Sequence, residues 1–138
     1  MGGLHKSAAT IGFYGDDLNP LEITDSLGAE PTVGVRKGGV WLTATGAAKV
    51  ARTGSSRLVA ERRQPGDLDG QINAMLDSLS KNVRAWRSFA ERYRGRVFCG
   101  LFLGSGNEGI TLRAETLLSV GERGLLIDLD IYGREMLD

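Results

Sequence analysis

Two pairs of carboxylates stand where acids could do chemistry. Asp16 and Asp17 are adjacent, between an apolar run and a helix start, and Asp128 and Asp130 lie two apart in an alternating stretch. Paired carboxylates can hold a divalent cation or share a proton. Against this, adjacent residues on an extended chain point apart, and acids ahead of a helix also favour its dipole. Asp128 and Asp130 share one strand face. If the last strand lay beside the first, Asp130 would approach Asp16. No histidine supports such a cluster, since His5 is the only one in the chain. Ser-His and Cys-His nucleophile pairs and histidine metal sites therefore drop out. Cys99 sits among apolar neighbours and reads as a small buried hydrophobe.

Other residues invite a ligand rather than a reaction. Gly104-Ser105-Gly106-Asn107-Glu108-Gly109 satisfies G-x-G-x-x-G after an apolar run, and Asp128 follows 19 residues beyond Gly109. A dinucleotide site needs its third Gly inside the helix, with the pyrophosphate at the helix N-terminus. Here Ile110-Thr111 intervene. The competing reading, a Gly-rich turn, is preferred because a lone match is weak. Trp41 lies near Arg36, Lys37 and Lys49. Exposed, it could stack on a base, a ligand ring or a partner's pocket. Folded back, it would simply cover the sheet.

The elements that must position these residues are organised around Asp67 to Leu103. Leu68, Ile72, Met75, Leu76, Leu79, Val83, Trp86, Phe89 and Tyr93 follow spacings of 1, 3 and 4, one buried helical face. Ser80-Lys81-Asn82 interrupt it, so one rod and two helices with Asn82 as the second cap remain open. Val97 to Leu103 reads as a buried strand. Earlier, Ser7 to Tyr14 reads as a strand, and Asn19-Pro20 opens a short helix closed by Gly28. Thr32 to Arg36 and Arg57 to Arg63 are strand candidates. Lys37 to Ser56, rich in Gly, is expected to be a mobile excursion, with Val40 to Thr43 as a candidate short strand. Thr111 is expected to cap a helix ending near Val120. Leu125 to Tyr132 alternates Ile127, Leu129 and Ile131 against Asp128, Asp130 and Tyr132, a half-buried strand. The order suggests an α+β fold: a two-layer sandwich, with helices on one face of a mainly antiparallel sheet, related to the ferredoxin-like fold.

With 138 residues, a single domain spanning 1–138 is expected. No apolar run approaches the ~20 residues of a membrane span. The start lacks the apolar core of a signal peptide. One cysteine suits a reducing cytoplasm. The net charge is zero, but the segment 36–63 carries seven basic residues against Glu61, and 81–96 carries six against Glu91. Segregation of this kind can mark a docking surface, or folding can mix it away.

Several stretches together carry a resemblance. They are Gly15-Asp16-Asp17-Leu18-Asn19-Pro20-x-Glu22-Ile23-Thr24, Leu27-Gly28-x-Glu30-Pro31-Thr32 with Arg36-Lys37-Gly38, Cys99-Gly100-Leu101-Phe102-Leu103, Asn107-x-Gly109 and Leu129-Asp130-Ile131-Tyr132-Gly133. In this order the chain resembles the bacterial family known as domain of unknown function 4279 over nearly its full length. That family often has a Trp in the strand before the long helix, where this chain has Ser56. The resemblance implies the fold and brings no activity, substrate or catalytic residue.

The sequence therefore points to a cytoplasmic, non-catalytic binding or protein-interaction module, toxin-neutralising or regulatory. Candidate binding residues are Asp16, Asp17, Arg36, Lys37, Trp41, Asn107, Asp130 and Tyr132. No catalytic residue, metal ligand or cofactor is assigned. A protein partner with an acidic surface is favoured over nucleic acid, a membrane is not expected, and a homodimer is left open. The alternatives are a small-molecule or metal-dependent enzyme using Asp16, Asp17 and Asp130, and a nucleic-acid binder using the basic segment 36–63. Neither NAD(P) nor FAD is expected to bind at Gly104 to Gly109. Titration calorimetry showing micromolar saturation that Gly106→Val abolishes would overturn this.

Overall fold

Local signals set most of the element boundaries. The computed structural model describes residues 2–134, so the ends of the domain expected over 1–138 lie outside the described residues. Strand β1 (Gly2–Gly3) and strand β2 (Lys6–Gly15) lead to helix α1 (Pro20–Leu27). Asn19 Oδ1 accepts from the Leu21 N–H at 3.2 Å. Gly28, at φ 90°, takes the left-handed conformation that ends the helix. Strands β3 (Val33–Val35), β4 (Val40–Leu42), β5 (Ala48–Val50) and β6 (Gly54–Val59) follow. The expected strand at Arg57 to Arg63 is thus displaced towards the N-terminus. β6 pairs Gly54–Val59 with β2, and beyond Val59 only Ala60 and Arg63 still bond to β2, at Ala9 and Ser7.

The interrupted helical face resolves into two helices, α2 (Leu68–Asp77) and α3 (Val83–Arg92). Asp67 caps the first through the Gly70 N–H at 3.0 Å, and Asn82 caps the second through the Ala85 N–H at 3.3 Å. The break is pinned on both sides. Trp86 Nε1 donates to the Ser80 carbonyl at 2.8 Å, and the Ser80 N–H donates to the Leu27 carbonyl at 2.9 Å. Strands β7 (Arg96–Phe102) and β8 (Glu108–Gly109), helix α4 (Ala114–Glu122) and strand β9 (Leu126–Tyr132) complete the described elements. Thr111 does not cap α4. Arg113 occupies the cap position without a side-chain cap of its own, and its N–H donates instead to Asp69 Oδ1 of α2 at 2.9 Å.

The protein is α+β, and its described residues form four helices and a mixed five-stranded sheet of order β3-β6-β2-β7-β9. All its pairings are antiparallel except β7 with β9. β1 and β8 pair in parallel, and β4 and β5 form a hairpin. Alternation decides which sheet residues are buried. Ala9, Ile11, Phe13, Val97, Cys99 and Leu101 join Ile23, Leu68, Ile72, Leu76, Trp86, Phe89 and Val120 of the helices in one core. Ser56 is buried too, beside a hollow of about 20 Å³, room for about one water. The helix–sheet junction also holds polar groups that are satisfied internally. Ser7 Oγ donates to Gln71 Oε1 at 2.6 Å, and Gln71 Nε2 donates to the carbonyls of Ser7 and Glu61 at 3.1 and 2.8 Å.

The last strand departs from expectation. Ile127 packs on the core, but Leu129 and Ile131 are 53% and 60% exposed. α4 has nine residues and β9 has seven. A helix that long spans about 14 Å and such a strand about 23 Å, so α4 is too short to cover the whole strand. Leu76, by contrast, is 2% exposed at the middle of the core. Leu76→Ala should cost about 2–5 kcal/mol. A denaturation midpoint equal to wild type would contradict that burial.

Candidate functional site

The sheet face turned away from the core carries Thr10, Gly12 and Tyr14 of β2, Ser55 and Arg57 of β6, Arg96, Phe98 and Phe102 of β7, and Asp128, Asp130 and Tyr132 of β9. Two of its rings lie back along their own strands. The Tyr14 ring covers Gly12, where a Cβ would collide with it, and the Phe102 ring covers Gly100, where a Cβ would stand 3.1 Å away. Cations then lie over the rings. The Arg96 guanidinium is 5.0 Å from the Tyr14 ring and 5.1 Å from the Phe98 ring, and its Nη1 meets Asp128 Oδ2 at 2.9 Å. Burial alone would lower the Arg96 pKa, but Asp128 and Tyr14 outweigh it and hold it above the usual value. Lys6 and Arg62 lie 4.9 and 5.1 Å from the Phe102 ring, which stacks on Tyr132 at 4.7 Å.

The hairpin closes one end of this face. The Gly38 N–H donates to the Ala51 carbonyl and the Ala51 N–H to the Gly39 carbonyl, both at 2.8 Å. Ala51 and Val35 are buried. The region expected as an excursion is therefore a paired hairpin. Trp41 folds back from β4 and lies 4.8 Å from the Arg57 guanidinium. Between hairpin and sheet runs a cleft of about 540 Å³ whose lining includes Tyr14, Trp41, Lys49, Arg52, Ser55 and Arg57. No carboxylate, histidine or cysteine lines it. On the other side of Tyr14 a second hollow of about 280 Å³ is lined by Arg94, Arg96, Leu126 and Asp128.

The sequence candidates fall in separate places. Asp16 anchors the hairpin base, accepting from Thr53 Oγ1 at 2.9 Å and Lys37 Nζ at 3.3 Å. The Thr53 hydrogen bond first, and Lys37 second, hold its pKa below the ordinary aspartate value. Asp17 is exposed beside it. Arg36 is exposed, and its carbonyl accepts from the Gly39 N–H at 2.9 Å. Asp130 does not approach Asp16. β7 stands between β9 and β2, and Asp130 aligns with Gly100 and hence with Ala8, towards the opposite end of β2. Asp130 instead accepts from the Tyr132 hydroxyl, which raises the Tyr132 pKa. Among the described residues no group of three or more His, Cys, Asp or Glu is placed to hold a metal ion. Cys99 is buried in β7, where burial first and the Asp128 charge second push its thiol pKa up to about 12.

Asn107 stands apart from the cleft, in the Gly-rich loop. There Glu108 takes hydrogen bonds from the Gly104 and His5 N–H groups at 3.0 and 2.9 Å and from Ser105 Oγ at 3.0 Å. The loop thus closes on its own carboxylate, and Gly109 lies in β8 rather than in a helix. The basic segment 36–63 disperses. Lys49, Arg52 and Arg57 face the cleft, Lys37 is tied to Asp16, and Arg63 is tied to Asp67 at 2.7 Å. Tyr14, Arg57, Arg96, Phe98 and Phe102 were not singled out from the sequence. The available signal was a glycine two residues before an aromatic in a strand, seen at Gly12–Tyr14 and Gly100–Phe102.

A family model described as domain of unknown function (DUF4279) matches residues 5–134, nearly the whole chain. No curated protein and no solved structure matches.

A depressed carboxyl pKa contributes stability above the ordinary aspartate pKa, and that contribution is lost as pH falls through the folded value. The Asp16 carboxyl carbon, followed by NMR, should therefore titrate below the ordinary aspartate range. In Thr53→Ala/Lys37→Met its midpoint should rise towards that range. A midpoint unmoved by the double substitution would show that these contacts do not set it.

Proposed function

The chain belongs to the family described as a domain of unknown function (DUF4279), and from that premise we propose that it is a non-catalytic binding module for an acidic protein surface, received in the cleft beneath the hairpin. One observation carries the reading: Lys49, Arg52 and Arg57 converge on a cleft that also holds Trp41 and Tyr14 and has no carboxylate in its lining. Guanidinium groups match carboxylates as planar, two-pronged donors. Among the described residues Arg57 joins no salt bridge and its Nε is buried without a hydrogen-bond partner, so the guanidinium is not committed to a carboxylate of the protein. Trp41, half-buried on the same wall, is the kind of rigid aromatic that anchors interfaces. The cleft holds no carboxylate, histidine or thiol, and its titratable groups, Lys49 and Tyr14, suit contact with an anion. This favours binding over the carboxylate enzyme.

The module is read as one domain over 1–138, a two-layer sandwich related to the ferredoxin-like fold. The order β7-β2-β6-β3, with α1 and the α2–α3 pair as the crossovers, supports that relation, and α4 with β9 extends it. A cytoplasmic setting suits the lone buried thiol. Regulation or neutralisation of an acidic protein is the role such a cleft suits.

The test is a fluorescence titration with an Asp- and Glu-rich peptide carrying one aromatic residue. Binding should weaken as salt rises. Trp41→Ala should cost on the order of 2 kcal/mol of binding, and Arg57→Glu should abolish binding while the fold persists. An oligonucleotide of equal charge binding more tightly than the peptide would overturn the reading in favour of nucleic acid.

A further inference from the structure

The strand that closes the sheet is also left bare. β9 is seven residues long, contains no Pro or Gly, and ends the order β3-β6-β2-β7-β9. The opposite edge is treated differently. β3 has only three residues, and the hairpin contacts it. Among the described residues no strand pairs with the outer side of β9. The Leu126 N–H donates to the Gly95 carbonyl at 3.2 Å, and the Leu103 N–H donates to the Tyr132 carbonyl at 3.0 Å. In a parallel ladder, residues that bond inward alternate with residues that bond outward. Asp128 and Asp130 therefore share the inward set with Leu126 and Tyr132. Ile127, Leu129 and Ile131 turn both peptide groups to solvent. Leu129 and Ile131 also expose their side chains, at 53% and 60%. Natural sheets usually blunt an edge of this length with a bulge, a proline or charged side chains. β9 has no proline and an unbroken register, and its charged residues are Asp128 and Asp130.

A second copy fits this edge badly. Two β9 strands paired antiparallel about a two-fold axis must match outward residues with outward residues. The register that uses the whole strand sets Asp128 against Asp130 of the copy. The neighbouring registers set Asp128 or Asp130 against itself. Like charges directly opposite destabilise a pair. We propose that β9 is an acceptor edge for an extended segment of a partner protein that alternates apolar and basic residues. Its apolar side chains lie beside Leu129 and Ile131, and its basic ones beside Asp130, which joins no salt bridge among the described residues, whereas Asp128 is held by Arg96 at 2.9 Å. The outward peptide groups of Ile127, Leu129 and Ile131 supply the backbone hydrogen bonds, and the alternation supplies selectivity. Asp130 gives the edge its charge preference, and a carboxylate opposite it in a second copy hinders self-pairing. This surface lies at the opposite edge of the sheet from the hairpin and does not depend on the cleft reading.

The test uses three labelled nonapeptides: alternating valine and lysine, alternating valine and glutamate, and a block arrangement of the valine–lysine composition. Fluorescence anisotropy should saturate with the alternating lysine peptide only. Asp130→Lys and, separately, Leu129→Lys should each weaken it by about tenfold or more, with thermal midpoints near wild type, while Arg57→Glu leaves it unchanged. Amide hydrogen exchange should slow at Ile127, Leu129 and Ile131 in the complex. Equal binding of the block peptide, absence of saturation by the alternating lysine peptide, or no protection at those three amides would overturn the proposal. So would a dimer formed by the free protein through the same amides.

Discussion

Gln71 is an amide buried to 1% exposure, and both ends of it are used. Its oxygen accepts from the Ser7 hydroxyl, and its nitrogen donates to the carbonyls of Ser7 and Glu61. The same Ser7 hydroxyl accepts from the Asp67 N–H at 2.9 Å. This one cluster therefore fixes the start of α2 against β2 and holds the connection from β6 in place. The placement of α2 carries further. It sets Asp69, where burial pushes the pKa up but the Thr116 hydroxyl and Arg113 outweigh it and hold it low. Asp69 in turn meets the Arg113 N–H at the start of α4, and α4 delivers the chain to β9. Removing one partner would strand the others without water, which costs about 1–3 kcal/mol per unsatisfied group.

The outer face shows what a sheet does without helices on that side. Its rings and guanidinium stems lie over one another, and the long side chains cover apolar surface while their charged ends stay wet. Each such stack is worth about 0.5–1 kcal/mol when exposed. The cover is therefore modest in energy and can be rearranged. Arg57 shields Trp41, and its Nε is buried there without a hydrogen-bond partner among the described residues.

Much of the fold was legible because its signals are local. Asn19, Gly28, Asp67 and Asn82 each act within a few residues of themselves, and the spacing from Leu68 to Tyr93 records a buried face directly. The cap of α4 was not legible, because Asp69 lies on another helix and no pattern around Thr111 points to it. The bare end of β9 was equally hidden. Alternation marks Leu129 and Ile131 as belonging to one face, but says nothing about whether a helix is long enough to cover it. The cleft depended on register. Tyr14 and Arg57 stand on strands joined only after the hairpin, and their approach follows from Tyr14 pairing with Ser55 and Gly12 with Arg57.

The hairpin enters and leaves the fold at neighbouring points. Gly38, Gly39 and Ala51 close its base by two mutual backbone hydrogen bonds, and Asp16 ties Lys37 to Thr53 just outside that base. The five-stranded sheet is complete without β4 and β5. A loop whose ends are already held together can change length at little entropic expense, since closure grows only with the logarithm of its residues. The segment from Val40 to Val50 is thus a place where descendants of this chain could lengthen, shorten or exchange sequence while the sheet beneath stays the same. Partner choice could then diversify by editing one appendage, much as a fixed handle accepts different blades.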